Sequence, residues 1–306
     1  MTTSAGVVTV GSINIDLIVR ATRRPLAGET FTGESFAIFP GGKGANQAVQ
    51  TALSGARSFM VARLGSDVFA PIFYQLFAEA GVDAQYVVED EVGTGVGHVV
   101  VDTHGDYSTI IVARANGNLS PQDIDKATSA FAGSQILLLQ LEVPLPTVTY
   151  AAQKARQMGL TVFLNAAPAL PLPPELLDCV DVLIVNEIEA QMLAEGTLAP
   201  STPTIDLWLR QLSAGLRDVV ITLGSQGAVA MDRHGQQYQV GGHAVEVVNT
   251  IGAGDAFVGE LAARVSEGMT LAEALPYANA AGAVAVTLAS PQVTRADRHR
   301  LAALLG

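Results

Sequence analysis

The segment Ile136-Leu137-Leu138-Leu139-Gln140-Leu141-Glu142 decides how this chain is read. Its apolar run is short and does not alternate with polar residues, which is the pattern of a strand buried on both faces. C-terminal to it, strand-like runs at 160–164, 182–185, 219–223, 228–231 and 245–248 alternate with helical spacing over 147–158, 187–195, 205–212, 255–265 and 271–288. N-terminal to it lie a strand at 7–10, ending at Gly11, and helical spacing over 46–54 and 71–80. Strands alternating with helices predict an α/β fold with a mostly parallel sheet covered on both faces and ligands at the carboxyl ends of its strands. Two regions break this rhythm. Residues 31–39, and the runs 98–101 and 107–112 around Asp102-Thr103-His104-Gly105-Asp106, mix apolar side chains with Thr, Ser, Glu and Gly. They predict a hairpin and a small antiparallel sheet apart from the main core. The Pro-rich stretch 170–174 reads as a connection inside the domain.

The 306 residues are 49% apolar and 15% charged, which excludes a disordered chain. Lys plus Arg number 17 against 29 Asp plus Glu, a net charge of −12. That balance speaks against a nucleic-acid partner, whose footprint is basic, and makes any bound polyanion depend on local donors. One cysteine, Cys179, excludes an intramolecular disulfide, so a reduced, cytoplasmic setting is expected. The N-terminus lacks the basic start and long apolar stretch of a signal peptide. The small-apolar stretch 278–289 carries Asn279 and Thr287 and is too short to cross a membrane, so it reads as a buried helix and no membrane partner is expected. There is no G-x-x-x-x-G-K-[ST] loop, no G-x-G-x-x-G after the first strand, no G-x-S-x-G elbow and no H-x-x-x-H pair.

Six motifs remain. In Pro40-Gly41-Gly42-Lys43-Gly44-Ala45-Asn46-Gln47-Ala48, glycines precede a helix start, and Lys43 and Asn46 add donors suited to a polyhydroxylated ligand. The plain reading is a capping loop. In Asn249-Thr250-Ile251-Gly252-Ala253-Gly254-Asp255, successive N–H groups of Gly252, Ala253 and Gly254 can form an anion hole at a helix's positive end. Asp255 could then accept a proton from an alcohol, the pairing phosphoryl transfer needs, or it could be an ordinary N-cap. Asn186-Glu187-Ile188-Glu189, after a strand, could organise hydrated Mg²⁺ or simply start a helix with acids favoured by its dipole. Thr222-Leu223-Gly224-Ser225-Gln226-Gly227 could touch a nucleotide phosphate or be a turn. Asn14 and Asp16 share one face of an extended segment and could grip sugar hydroxyls. Glu142 either faces the cleft or leaves the core.

In this order the motifs resemble the PfkB-type carbohydrate kinases, and among them those acting on ribose. The resemblance also takes in Asn165-Ala166-Ala167-Pro168-Ala169 and runs from Val8 to about Thr287. It implies one Rossmann-like αβα sandwich over 1–306, with a β lid from about 12–40 and 95–113 that also makes a homodimer contact. It implies transfer of the γ-phosphoryl group of MgATP to the 5-hydroxyl of D-ribose. Asn14, Asp16, Gly42, Lys43, Asn46 and Glu142 then hold the sugar, Asp255 is the general base, and Gly252, Ala253 and Gly254 form the anion hole. Asn186, Thr222, Gly224, Gly227 and Asn279 serve ATP, Glu189 reaches Mg²⁺ through water, and Asn249 and Ile251 border a monovalent-cation site.

Three departures stand out. Asn249 replaces a usual Asp, and the segment Thr287-Leu288-Ala289-Ser290-Pro291-Gln292-Val293-Thr294 is shorter than the family's cation loop. Both predict weak or absent K⁺ activation. Ala113-Arg114 stands where Pro-Gly is usual. The alternatives are a PfkB-type kinase for another sugar or a nucleoside, or a non-catalytic sugar-sensing protein. The Asn14, Asp16, Lys43, Asn46 and Glu142 set favours a free pentose, and a retained base argues against mere sensing.

Overall fold

The computed structural model describes residues 6–103, 107–195, 204–214, 217–290 and 293–305. The first half contains β1 (Gly6–Val10), β2 (Asn14–Arg20), β3 (Ser35–Gly41), α1 (Lys43–Leu53), β4 (Arg57–Gly65), α2 (Ala70–Ala80), β5 (Val82–Asp90), β6 (Gly95–Val101), β7 (Tyr107–Val112), α3 (Pro121–Lys126) and α4 (Thr128–Ala132). The second half contains β8 (Ile136–Leu139), α5 (Leu145–Gln157), β9 (Thr161–Asn165), α6 (Pro174–Leu177), β10 (Val182–Asn186), α7 (Glu187–Glu195), α8 (Ile205–Leu212) and β11 (Asp218–Thr222). It closes with β12 (Ala228–Met231), β13 (Gln237–Val240), α9 (Ala253–Ser266), α10 (Leu271–Ala285) and α11 (Arg298–Leu305).

The main sheet has the order β13-β12-β11-β10-β9-β8-β1-β4-β5. The seven strands from β11 to β5 are parallel, and β12 and β13 extend one edge antiparallel. β8 shows why both faces must be covered. Leu137 and Leu139 enter one core with α3, α5 and α8 residues, while Ile136 and Leu138 enter another with α9 and α10 residues. A third cluster packs α1 and α2 on β4. Each buried leucine of this kind contributes about 2 kcal/mol of apolar transfer, so the continuous apolar strand is worth most when helices lie on both sides.

From β1 the chain builds outward to β4 and β5 in one direction, and from β8 to β11 in the other. The carboxyl ends of β1 and β8 therefore border a topological switch point, where open α/β sheets leave a crevice. Above it stands the second sheet, in the order β3-β2-β6-β7. Its outer pairings are antiparallel, but the central β2–β6 pair is parallel, because the two hairpin-like pairs arise from separate insertions. The turn joining β6 and β7 falls at 104–106, outside the described residues.

Strands β4, β5 and β13 lie outside the runs read as strands from the sequence, and two of the expected elements differ. Residues 245–248 form no strand. Val247 and Val248 are more than half exposed, and the Val248 and Asn249 N–H groups donate to the Val286 carbonyl at 2.8 and 3.1 Å instead of to a neighbouring strand. The apolar run is an exposed crossing segment, so its β-branched residues mislead. α10 also stops at Ala285 rather than 288: Thr287 turns its hydroxyl onto the Val284 carbonyl, and the Val286 carbonyl is taken by the crossing segment.

Candidate active site

The cleft is built where β1, β8, β9, β10 and β11 end, beneath the second sheet. After β1, the Ser12 hydroxyl donates to Glu142 at 2.6 Å. Asn14, at the start of β2, donates its amide to the same carboxylate at 3.3 Å, and the Lys43 backbone N–H does so at 3.2 Å. Glu142 thus faces the cleft and gathers the β1 exit, β2 and α1. Asn116 was not singled out by the sequence. It is buried, accepts from the Ile13 N–H at 2.9 Å and donates to the Asn14 side-chain oxygen at 2.7 Å. Lying 102 residues from Asn14, it carried no local signal.

Gly42 precedes α1 with φ 90, and a Cβ there would lie 2.6 Å from the Asn14 N–H nitrogen. Only glycine lets the helix start approach β2 this closely. Asp16 sits on the inner face of the second sheet between Gly41 and Gly97, whose added Cβ atoms would strike its carboxylate at 2.1 and 2.3 Å. Burial, then the charges of Glu142 and Asp255, push Asp16 up to about 7, and only Lys43 opposes them. Among the described residues none donates a hydrogen bond to this carboxylate.

Asp255 is differently placed. Gly252, with φ 82, is the N-cap of α9, so Asp255 is the third helical residue and not the N-cap. Asn46 donates to one carboxylate oxygen and Gln47 to the other, each at 2.9 Å. The first-turn N–H groups of α9, at Ala253, Gly254 and Asp255, lie beside it with no carbonyl four residues back inside the helix. Gly254 is exposed, and a Cβ there would meet nothing within 4 Å, so the protein leaves room on that side.

Asn186 and Glu189 lock each other. The Asn186 oxygen accepts from the Glu189 N–H at 2.8 Å and the Glu189 carboxylate from the Asn186 N–H at 2.9 Å, a reciprocal cap of α7. Burial is the largest influence on Glu189 and raises its pKa, the Asn186 N–H and Lys43 lower it, and Asp255 raises it further. Lys43, Asp255 and Glu189 therefore sense one another across the cleft.

The remaining residues are more peripheral. Thr222 ends β11 with its hydroxyl 3.5 Å from the Val185 carbonyl. Gly224 lies in an exposed turn, while a Cβ on Gly227 would strike the Val240 carbonyl at 2.1 Å, so Gly227 is required by the β12–β13 edge. Asn279, on α10, donates to the Gly241 carbonyl at 2.9 Å and anchors the chain where it leaves β13. The Asn249 oxygen accepts from the Ile251 N–H at 3.1 Å, and Ile251 packs on Ile18, Phe39, Val99 and Val101 of the second sheet. Within 287–294, residues 291 and 292 lie outside those described. Arg114 occupies a left-handed conformation, φ 45, with its guanidinium donating to the Val92 carbonyl at 3.0 Å and to that of Thr94 at 3.3 Å. These bonds offset the roughly 1–2 kcal/mol that the conformation costs a residue with a Cβ. They clamp the entry to β6.

Comparison with known proteins agrees with this layout. The model of the pfkB family carbohydrate kinases matches residues 4–297. A ribokinase of Haemophilus influenzae is 35% identical over 280 residues, covering 91% of each chain. A deoxyribokinase of Salmonella typhi is 36% identical over 253 residues, 82% of each chain. The solved structure of an Arabidopsis thaliana ribokinase complexed with ribose and ATP superposes with a TM-score of 0.85 at 29% identity, covering 99% of each chain. The chain belongs to the PfkB family of carbohydrate kinases and is a phosphotransferase with a hydroxyl acceptor.

Proposed function

We propose that the chain transfers the γ-phosphoryl group of ATP to the 5-hydroxyl of D-ribose. One observation carries the reading: a carboxylate held by two amides, Asp255, lies at the N-terminus of α9, facing a polar set from β2, α1 and the β8 exit. Asn14, Asp16, Gly42, Lys43, Asn46 and Glu142 bind the sugar. Asp255 takes the proton of the attacking hydroxyl as that hydroxyl's oxygen bonds the γ-phosphorus and the bridging bond to the β-phosphate breaks, releasing ADP. The N–H groups of Gly252, the N-cap of α9, and of Ala253 and Gly254 in its first turn stabilise charge on the transferred phosphoryl group. Asn186, Thr222, Gly224, Gly227 and Asn279 border the nucleotide.

Mg²⁺ fits the donor set as an ion carried on the phosphates. Glu189, its carboxylate held by the Asn186 N–H, would reach the ion through water, and among the described residues no three His, Cys, Asp or Glu side chains converge to cage a metal. When bound, the ion neutralises phosphate charge. A monovalent cation fits poorly beside Asn249 and Ile251: the Asn249 side chain is a neutral amide, and its oxygen already accepts from the Ile251 N–H. K⁺ activation is accordingly weak or absent.

The 1–306 chain acts as one α/β domain, with the second sheet as its lid. The outer face of the lid carries Phe36, Ile38, Ile110 and Val112, with Phe36 60% and Ile110 67% exposed, and a homodimer buries it. No described helix is long and apolar enough to cross a membrane, and a cytoplasmic location suits the single cysteine, Cys179.

The test is mass spectrometry of products after incubation with MgATP and a panel of ribose, 2-deoxyribose, hexoses and nucleosides. Ribose phosphate as the dominant product supports the assignment. Dominance of 2-deoxyribose phosphate or another species overturns the sugar assignment, and no product overturns catalysis.

A further inference from the structure

The buried groups behind Asp255 form a chain with a fixed direction. The Ile184 backbone carbonyl, on β10, can only accept, and it accepts from the Asn165 side-chain amide at 3.2 Å. That turns the Asn165 oxygen toward α1, where it accepts from the Gln47 amide at 3.0 Å. The same Gln47 nitrogen donates to Asp255 at 2.9 Å. The Gln47 oxygen, facing the other way, accepts from the Gln140 amide at 2.6 Å. Gln47 and Gln140 are fully buried and Asn165 is 8% exposed. Every amide orientation thus follows from one backbone carbonyl. The sheet fixes Asn165, Asn165 orients the Gln47 amide, the Gln47 oxygen in turn orients Gln140, whose own oxygen is buried with no partner among the described residues, and Gln47 fixes one oxygen of Asp255. Asn46 fixes the other from the same helix.

We infer that Gln47 is a positioning residue for Asp255, relaying the sheet's orientation through Asn165, with Gln140 bonded to the far end of its amide, so that the remaining lone pairs of the carboxylate face the sugar hydroxyl. This rests on Asp255 being the base. Gln47 itself is shut away from the cleft and contributes nothing to sugar or nucleotide binding. Misplacement of a catalytic group by an ångström costs about 100-fold in rate, so loss of the relay lowers turnover by that order while leaving affinities intact.

The experiment compares Gln47→Met, which keeps the length of the side chain and removes its hydrogen bonds, alone and combined with Asp255→Asn. Expected is a kcat about 100-fold lower, with the dissociation constants of sugar and nucleotide, read by calorimetry, within threefold of the parent. In the Asp255→Asn background the further loss falls to twofold or less, because the two changes act through one carboxylate. A kcat within threefold of the parent, or the same fractional loss in both backgrounds, overturns the inference. Should Gln47→Met not fold, Gln140→Met removes the support at the far end and is held to the same criteria. The crystal structure of either variant gives a readout without activity: Asp255 turned off Asn46 is expected, and an unmoved carboxylate contradicts the relay. An Asp255→Asn single variant with parental turnover defeats the base assignment itself, which separates that failure from this one.

Discussion

Two aspartates face one cleft, and their surroundings are opposite. Asp255 stands on the core, on a helix packed against the main sheet, with an amide on each oxygen. Asp16 hangs from the second sheet between two glycines, with two carboxylates as its strongest neighbours and Lys43 as its only opposing charge. The difference separates tasks. A carboxylate immobilised by buried amides is suited to chemistry, where geometry is everything. A buried carboxylate to which no described residue donates is suited to a ligand that brings donors, such as a sugar with several hydroxyls.

The division predicts effects of descending size. Replacing Asp255 by Asn cuts kcat by about 10²–10⁴-fold, the range of a positioned base, while sugar affinity stays near the parental value; steady-state kinetics beside calorimetry reads both. Replacing Asp16 by Asn weakens sugar binding by about 10–100-fold, the range of a lost hydrogen bond to a charged group, with a smaller effect on turnover at saturation.

The same change also sharpens the comparison through stability. Asp16 ionises near 3.8 in an unfolded chain and near 7 in the native one. Between those values the native state keeps a proton that the unfolded chain has released, so stability is lost as pH rises toward 7, and the loss is complete above it. Asp16→Asn therefore melts above the parent at pH 8 and level with it at pH 4. A variant that melts lower at pH 8 breaks the account of Asp16. Sugar affinity of the parent should likewise strengthen as pH rises through about 7, as the acid becomes an acceptor, and lose that dependence in the variant.

Smaller effects follow from the helix starts. Gly42→Ala puts a Cβ at φ 90, ψ 126, which glycine alone adopts readily, and against Asn14, costing about 1–3 kcal/mol from the conformation alone and raising KM for the sugar. Exchanging choline for K⁺ changes the rate less than about twofold, against the approximately tenfold that a 1.4 kcal/mol contribution would give. A large activation would show that Asn249 and Ile251 leave the cation site intact.

The sheet was legible because its strands are buried on both faces, so β8, β9, β10 and β11 read as apolar runs with helices between. β4 was harder. Arg63 interrupts its apolar pattern and is accommodated only by Asp90 and Asp123, far away in sequence. The run 245–248 was misread because β-branched composition says nothing of whether a partner strand is adjacent. In the cleft, the glycine-rich helix starts and single carboxylates were legible from local chemistry. Ser12, Gln47, Asn116, Gln140 and Asn165 were not singled out for the site, since a buried polar side chain carries no pattern until its partner, 93 to 208 residues away for these side-chain pairs, is brought beside it.

The most direct measurement sets the two aspartates side by side: calorimetric binding of ribose to Asp16→Asn and Asp255→Asn, with turnover by each under MgATP. The account predicts that Asp255→Asn binds ribose like the parent and barely turns it over, while Asp16→Asn loses affinity yet keeps most of its turnover at saturating sugar. The reverse pattern, or parallel loss of binding and turnover in both, would contradict it.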